Sequence, residues 1–245
     1  MPKLANKCIK SWKKHCPDYE IIEWNEDNFD ISACPLYVRQ AYEMKKWAFV
    51  TDYVRLKVVY DHGGIYMDTD VELLKNLDFL LDYDAYFGFE EGKFVNTGVG
   101  FGAIQSCPVL AEMMEDYKEI PFIMPDGSMD TKTCPQRNTS VLLMRGLEQN
   151  NTRQILEGNI LILPSVCMCP ISYFDGKNGK TSETVSIHWF SASWQTLEQQ
   201  KKHKQNLQNQ KRAECIHNIV HLPNRILRAV LGTDCYEKLK RRLKR

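Results

Sequence analysis

Two carboxylates and one ion pair in the first third of this 245-residue chain have types and spacing suited to chemistry. Asp68 and Asp70 flank Thr69. In an extended segment, side chains two residues apart point to the same side, so both carboxylates can face one ligand. Carboxylate oxygens suit Mg²⁺ or Mn²⁺, and such ions commonly bridge protein acids to phosphate oxygens. An ion held there would neutralise charge building on a departing diphosphate. The pattern alone says little, because Asp82-Tyr83-Asp84 repeats it; that second copy is expected to be a surface turn. Upstream, Asp52 and Arg55 lie one helical turn apart and can share a face. As a surface or capping pair they would be worth under about 1 kcal/mol; as a functional pair they would face the same ligand as Asp68.

Positioning these groups requires a helix and a strand on either side of Gly63-Gly64. A helical pattern runs from near Val38 through Trp47, Val50, Val54 and Val58 to His62, and Gly63-Gly64 supplies the positive φ that commonly closes a helix. Ile65-Tyr66-Met67 predicts a short buried strand ending at Asp68. That places the acids at the carboxyl end of a strand, where open α/β sheets bind ligands. Elsewhere, Leu4 to Cys16 reads as a helix with Leu4, Cys8, Ile9, Trp12 and Cys16 on its apolar face. Tyr19–Trp24, Ala85–Phe89, Val99–Ala103, Ile160–Leu163 and Thr184–Trp189 read as strands. Val109–Tyr117 and Val141–Leu147 read as helices, with a loop between Pro121 and Pro135. Helices interleaved with short apolar strands predict an α/β layered domain.

The composition is that of an ordinary globular protein, 43% apolar and 26% charged. No run of 18 apolar residues exists, so no membrane span is expected. The start, Met1 to Lys7, lacks the apolar core of a secretory signal, which predicts a cytoplasmic location. Nine cysteines form no CxxC pair. A zinc site from Cys167, Cys169 and His188 matches no common spacing, and reduced buried thiols are the expectation. The net charge of +1 conceals an asymmetry: residues 201–245 carry 13 Lys/Arg against 3 Asp/Glu. Nothing suggests a nucleic-acid partner for the acidic remainder. The basic end, residues 196–245, predicts a solvated helical extension. In it Pro223 opens a helix with Ile226, Leu227, Val230 and Leu231 on one side, and Tyr236, Leu239 and Leu243 follow. Such basic amphipathic helices suit an anionic membrane surface or a docked helix equally.

The stretch from Trp47 to Arg55, continued by Tyr60-Asp61-His62-Gly63-Gly64-Ile65-Tyr66-Met67-Asp68-Thr69-Asp70, resembles the DXD-containing glycosyltransferases of family 32. These are the capsular polysaccharide synthesis and initiating mannosyltransferase type. More distantly it is similar to the glucosylating domains of large clostridial toxins. The resemblance continues through Asn96–Ala103 and Ser186–Trp194 and covers roughly residues 4–195. It implies a GT-A fold: a single Rossmann-like domain, residues 1–195, that binds a nucleotide-diphospho-sugar. By position, Asp52 and Arg55 would bind the donor sugar's hydroxyls. Asp68, with Thr69, would contact ribose and sugar, and Asp70 would be the principal metal ligand. Asn96 and Gly98 would line the sugar pocket, His188 would be a second metal ligand, and Ser193 and Trp194 would meet the diphosphate. Asp68, Asp70 and Arg55 are the expected catalytic groups. The cofactor would be Mn²⁺ or Mg²⁺, and the donor a UDP-sugar, with GDP-mannose left open because the family includes mannosyltransferases. The acceptor would be a glycan or lipid-linked sugar in surface polysaccharide synthesis, met on the inner face of the cell membrane.

Two departures stand beside the resemblance. Family members begin with a strand ahead of the first helix, and here Met1 falls just before that helix. Asn138-Thr139-Ser140 stands in a region where the family has a Thr-Gly-Pro-like turn. Two other function classes compete. Asp68-Thr69-Asp70-Val71 fits the first motif of a haloacid-dehalogenase-type phosphohydrolase, with Asp68 as nucleophile and Asp70 as acid/base. That motif normally opens its domain, whereas about a quarter of this chain precedes it. The third reading is a non-catalytic or degenerate sugar-nucleotide-binding module.

Overall fold

The computed structural model describes residues 1–191 and 197–243. They fall into two compact units: residues 1–173 with 177–191, and residues 197–243 with the short segment 174–176.

The first unit is built on a mixed sheet. Its strands are β1 (Gly64–Tyr66), β3 (Ala85–Glu90), β4 (Phe94–Val95), β5 (Phe101–Ala103), β6 (Gln154–Leu156) and β7 (Ile160–Leu163). The order is β1-β5-β3-β7-β6, with β4 beside β3. β3 and β7 pair in parallel, Ala85 to Gly88 against Ile160 to Leu163, and the remaining pairs are antiparallel. Both parallel strands are buried along their paired lengths, which is why they read as continuous apolar runs rather than alternating ones. A separate two-stranded ribbon joins β2 (Val71–Leu73) to β8 (Ser186–His188).

Alternation along β3 divides the core in two. Ala85, Phe87 and Phe89 pack with Tyr37, Leu56, Phe101, Leu110 and Phe122. These come from or lie near α2 (Leu36–Glu43), α3 (Trp47–His62), α4 (Pro108–Glu115) and α5 (Cys134–Met144). Tyr86 faces the other way, with Trp12, Leu73, Val99, Leu161 and Met168. That layer includes α1 (Lys3–His15) and α6 (Ser165–Met168). The result is a mixed α/β domain with a parallel pair at its centre, consistent with the expected GT-A type.

Local chemistry explains the elements that hold the site. α1 buries Ala5, Cys8 and Trp12 and carries Lys13, Lys14 and His15 in its last turn, where they complement the helix dipole. The Trp12 indole donates to the Val71 carbonyl (2.7 Å), and the Leu73 amide donates to the Ser11 hydroxyl (2.9 Å), fixing β2 to α1. α3 closes at Gly63 with φ 70°. A Cβ there would stand 3.0 Å from the Gln105 amide nitrogen, so the position favours glycine on both backbone and steric grounds.

Several expectations are corrected. The single helix expected from Val38 to His62 is two, α2 and α3, separated at residues 44–46 with Lys45 in the left-handed region at φ 56°. No Gly or Pro marks that break. Tyr19–Trp24 is not a strand: Ile21 and Ile22 are exposed, and the segment is a connector tied down where the Tyr19 hydroxyl donates to Asp78 (2.8 Å). Residues 138–140 are not a turn but the middle of α5. That helix begins at Cys134, where Thr133 and Gln136 form a capping box. Asp82-Tyr83-Asp84 is a turn, as expected.

In the second unit, α7 runs from Leu197 to Leu231 without interruption, so Pro223 sits inside a helix rather than opening one. Gly232 (φ 73°) then turns the chain into α8 (Thr233–Leu243). α8 folds against α7: Arg228 pairs with Glu237 at 2.7 Å and lies over the Tyr236 ring, which is buried. Ile226 and Leu231 are exposed. The side chains of Leu227, Val230, Leu239 and Leu243, also named for the apolar stripe, are outside the described ones. No helix among the described residues is long and apolar enough to cross a membrane.

Candidate active site

The Asp68-Thr69-Asp70 segment is a turn joining β1 to β2, closed where the Val71 amide donates to the Asp68 carbonyl (2.9 Å). The extended geometry expected from the sequence is absent, yet the two carboxylates still converge. The cause is the β2–β8 ribbon, which sets His188 directly across from Val71. It brings ligand atoms of Asp68, Asp70 and His188 within 4.8 Å of one another. Thr69, between the two acids, is exposed.

Asp70 is held from three directions. Its carboxylate accepts from the Ser191 amide at 2.7 Å, its carbonyl accepts from the Trp189 amide at 3.0 Å, and the His188 Nε2 stands 3.4 Å from its Oδ1. Burial alone would raise the Asp70 pKa, but His188 and the Ser191 amide outweigh it and hold it down to about 2. Burial lowers His188 and the Asp70 carboxylate raises it, with a net upward shift. The ribbon is braced from outside: Lys7 and the Trp189 indole both donate to Glu72, at 2.6 and 2.9 Å, with Lys7 over the Trp189 ring.

Asp68 faces a second group. Arg55, buried on α3, reaches Asp52 at 3.3 Å and Asp68 at 3.7 Å. Its remaining contacts are to Thr51, whose carbonyl and hydroxyl accept from it at 3.0 and 3.2 Å. The Tyr66 hydroxyl donates to Asp68 (2.8 Å), and the Arg55 guanidinium lies 5.3 Å from the Tyr66 ring. Burial pushes Asp52 up to about 6, opposed by Arg55 and reinforced by Asp68.

Asn96 and Gly98 complete this wall. The Gly98 amide donates to the Asn96 side chain at 2.7 Å. A Cβ on Gly98 would stand 3.0 Å from an Arg55 nitrogen and 3.1 Å from both Asn96 and Asp68 oxygens. Behind them, the buried Cys134 sulfur lies 3.0 Å from the Thr97 hydroxyl and 3.2 Å from the Asn138 amide. Asp52, Arg55, Asp68, Asp70, Asn96, Gly98 and His188 are therefore brought together. Ser193 and Trp194 lie outside the described residues.

Three contributors were not read from the sequence. Tyr66 could have been found, being the last residue of β1 and two residues ahead of Asp68. Cys134 is signalled by the Thr-x-x-Gln capping pattern that fixes the start of α5. The Ser191 backbone amide carries no sequence signal. The zinc alternative falls away: the metal-capable group among the described residues contains neither Cys167 nor Cys169, and both are buried free thiols.

Two comparisons bear on this geometry. Residues 2–87 match the model of a glycosyltransferase sugar-binding region containing a DXD motif. Inositol phosphoceramide mannosyltransferase 3 of Schizosaccharomyces pombe is 27% identical over 132 residues, 48% of this chain and 36% of that protein. Residues 2–87 include α3, the Gly63-Gly64 break and Asp68-Thr69-Asp70. Over residues 2–87 the chain is thus similar to glycosyltransferase sugar-binding regions containing a DXD motif.

Proposed function

We propose that residues 1–195 form a glycosyltransferase domain that moves a sugar from a nucleotide-diphospho-sugar to an acceptor hydroxyl, with residues 196–245 as a basic helical extension. The observation that carries this reading is the double role of Asp68. One side of its carboxylate belongs to the Arg55–Asp52–Gly98 wall, and it also completes the Asp70–His188 group. A ligand bridging the two must present hydroxyls to one and phosphate to the other, which describes a sugar diphosphate.

The residues fit a divalent cation. Two hard carboxylates and one imidazole lie within reach of a common point, and His188 has a buried Nδ1 with no partner among the described residues. That donor set suits Mn²⁺ or Mg²⁺. Asp70, His188 and Asp68 would hold the ion, which when bound supplies electrostatic stabilisation to the leaving diphosphate. Arg55 and Asp52 orient sugar hydroxyls, Asn96 fixes the Gly98 loop against them, and Ser193 and Trp194 close over the phosphates.

Further detail extends the same reading: a UDP-sugar rather than GDP-mannose as donor, and retention by front-side attack of the acceptor. Family 32 membership and a role in surface polysaccharide assembly belong with it. A cytoplasmic enzyme resting on anionic lipid through 223–245 would meet a lipid-linked acceptor in one plane. The S. pombe relative's name couples a mannosyl donor to a lipid acceptor, which keeps GDP-mannose in any donor panel. A phosphohydrolase has less support, because both of its nucleophile and acid/base candidates are committed to the cluster just described.

The decisive experiment titrates nucleotide-sugars with Mn²⁺ into wild type, Asp70→Ala and Asp84→Ala. Metal-dependent donor binding should disappear in Asp70→Ala, a loss of at least about 100-fold, and persist in Asp84→Ala. Equal donor affinity in wild type and Asp70→Ala would sink the assignment. Binding without release of free nucleotide in the presence of acceptors would make the protein a binding module.

A further inference from the structure

Every acid in the site described so far is committed. Asp52 and Asp68 are paired with Arg55, and Asp70 is held by His188 and the Ser191 amide. One carboxylate beside them is not. Glu90 ends β3, two residues beyond Gly88, whose register partner Leu163 is the last residue of β7. The carboxyl ends of the parallel pair therefore point to the edge where Glu90 stands, the position at which α/β sheets present groups to ligands.

Alternation fixes the direction. Tyr86 belongs to the second core layer, and a Cβ on Gly88 would meet Met168 and Val99 of that layer. Glu90 continues the same face, beyond the last apolar neighbour, and is only partly buried. The hairpin to β4 pairs Glu90 with Phe94 and returns the chain to Asn96, whose amide donates to the Gly88 carbonyl at 3.1 Å. Asn96 and His188 stand near enough to favour the charged Glu90 carboxylate, and Glu91 opposes it. Burial raises its pKa while His188 opposes that. Among the described residues no lysine or arginine pairs with it. A partly buried carboxylate without a fixed cation, beside both the sugar wall and the metal-capable group, is costly to keep unless it meets a ligand.

We propose that Glu90 is a further catalytic carboxylate, which places negative charge beside the anomeric carbon. This rests on the transferase reading above. In the step it serves, the acceptor oxygen forms a bond to the anomeric carbon while the bond to the diphosphate oxygen breaks. The electron pair of that bond leaves with the phosphate, which also takes the hydroxyl proton. Glu90 stays ionised throughout, stabilising positive charge on the sugar ring. Asn96 then links Glu90 to the Gly98 loop.

The test compares wild type and the isosteric Glu90→Gln for donor binding by calorimetry with Mn²⁺ and for turnover by nucleotide release. Donor affinity should stay within about threefold of wild type, while kcat falls about 100-fold or more. Glu90→Asp should recover part of the loss. A second measurement, the thermal midpoint, should not fall below wild type in either variant, so that a folding defect is not mistaken for lost chemistry. Unchanged kcat, or donor affinity falling in step with kcat, overturns the role of Glu90 and leaves the transferase reading standing. Wild type binding no nucleotide-sugar at all removes both.

Discussion

Two buried arginines, Arg55 and Arg137, each face a pair of aspartates, and they are built differently. Arg137 on α5 donates to Asp116 at 2.8 Å and to Asp130 at 2.7 Å. Tyr37 and Tyr117 flank its guanidinium at 5.4 and 5.1 Å. Those are short, separate, charge-assisted bonds, and they tie the 119–133 loop to α4 and α5. Arg55 spends its closest bonds on Thr51 of its own helix and stands 3.3 and 3.7 Å from its acids. A guanidinium with both terminal nitrogens bonded to carboxylates is a structural staple, even though its Nε has no partner among the described residues. One held loosely between two acids, with a glycine cleared in front of it, has donors left for a ligand. The difference separates a load on stability from a load on function, although both residues look alike by burial.

Methionine substitutions should break the comparison most visibly. Arg137→Met leaves Asp116 and Asp130 without their partner. Because Asp116 still meets water and Lys132, the cost should fall at the low end for a broken buried pair, about 3 kcal/mol. That corresponds to a midpoint lowered by about 10 °C in a domain of this size, with turnover per folded molecule near wild type. Arg55→Met should do the reverse, lowering kcat/KM by about 100-fold or more with a smaller change in midpoint. Thermal melts and steady-state kinetics on both variants decide it. If Arg137→Met loses turnover as deeply as Arg55→Met, the division is wrong.

Gly98→Ala sharpens the functional half. The added methyl would press on Arg55, Asn96 and Asp68 at 3.0–3.1 Å. These are side-chain ends that can move, so the fold should tolerate it and the pocket should not. KM for the donor should rise about tenfold, with the midpoint unchanged within about 2 °C. An unaltered KM would show that the Gly98 face is not against the donor.

How far the sequence carries this far follows from what each signal depends on. The spacing from Asp52 to Asp70, with the Gly63-Gly64 break, is local, and the helix end at His62 and the strand after it fell where expected, although β1 is half-exposed rather than buried. The reason given for the two carboxylates was wrong: they sit in a turn and converge because of the β2–β8 ribbon. That pairing spans more than a hundred residues, so nothing within either segment encodes it. His188 was legible only through resemblance, since a histidine in a short strand has no intrinsic sign of its partner. Arg137 was not singled out, because the loop acids it holds are scattered among turn residues. Val141–Leu147 was read as the helix, but its start lay at Cys134, signalled by Thr133 and Gln136. Apolar periodicity weakens in that stretch because Arg137, Asn138 and Thr139 are themselves buried, so polar residues occupy core positions.

The smallest effect, and the one with opposite signs at the two sites, is the pH dependence of stability. Asp52 is raised by burial to about 6 from the ordinary 3.8, despite Arg55. A raised folded pKa means stability that is complete below 3.8 and lost as pH rises through about 6. Asp116 is the contrary case: burial would raise it, but Arg137 and Lys132 hold it below 3.8. Its contribution is present above 3.8 and lost only as pH falls through the lower, folded value. Asp52→Asn should therefore melt higher than wild type at neutral pH, with the gap closing as pH falls from about 6 toward 4. Asp116→Asn should melt lower at neutral pH, and its gap should close only in stronger acid. Because Asp116 is 41% exposed, that second gap should be small, about 2 °C. Thermal melts of the two variants and wild type across about pH 3–8 provide the check. Asp52→Asn melting below wild type at neutral pH would mean that the Arg55 pair outweighs burial, and the wall around Arg55 would then be a staple like the one around Arg137.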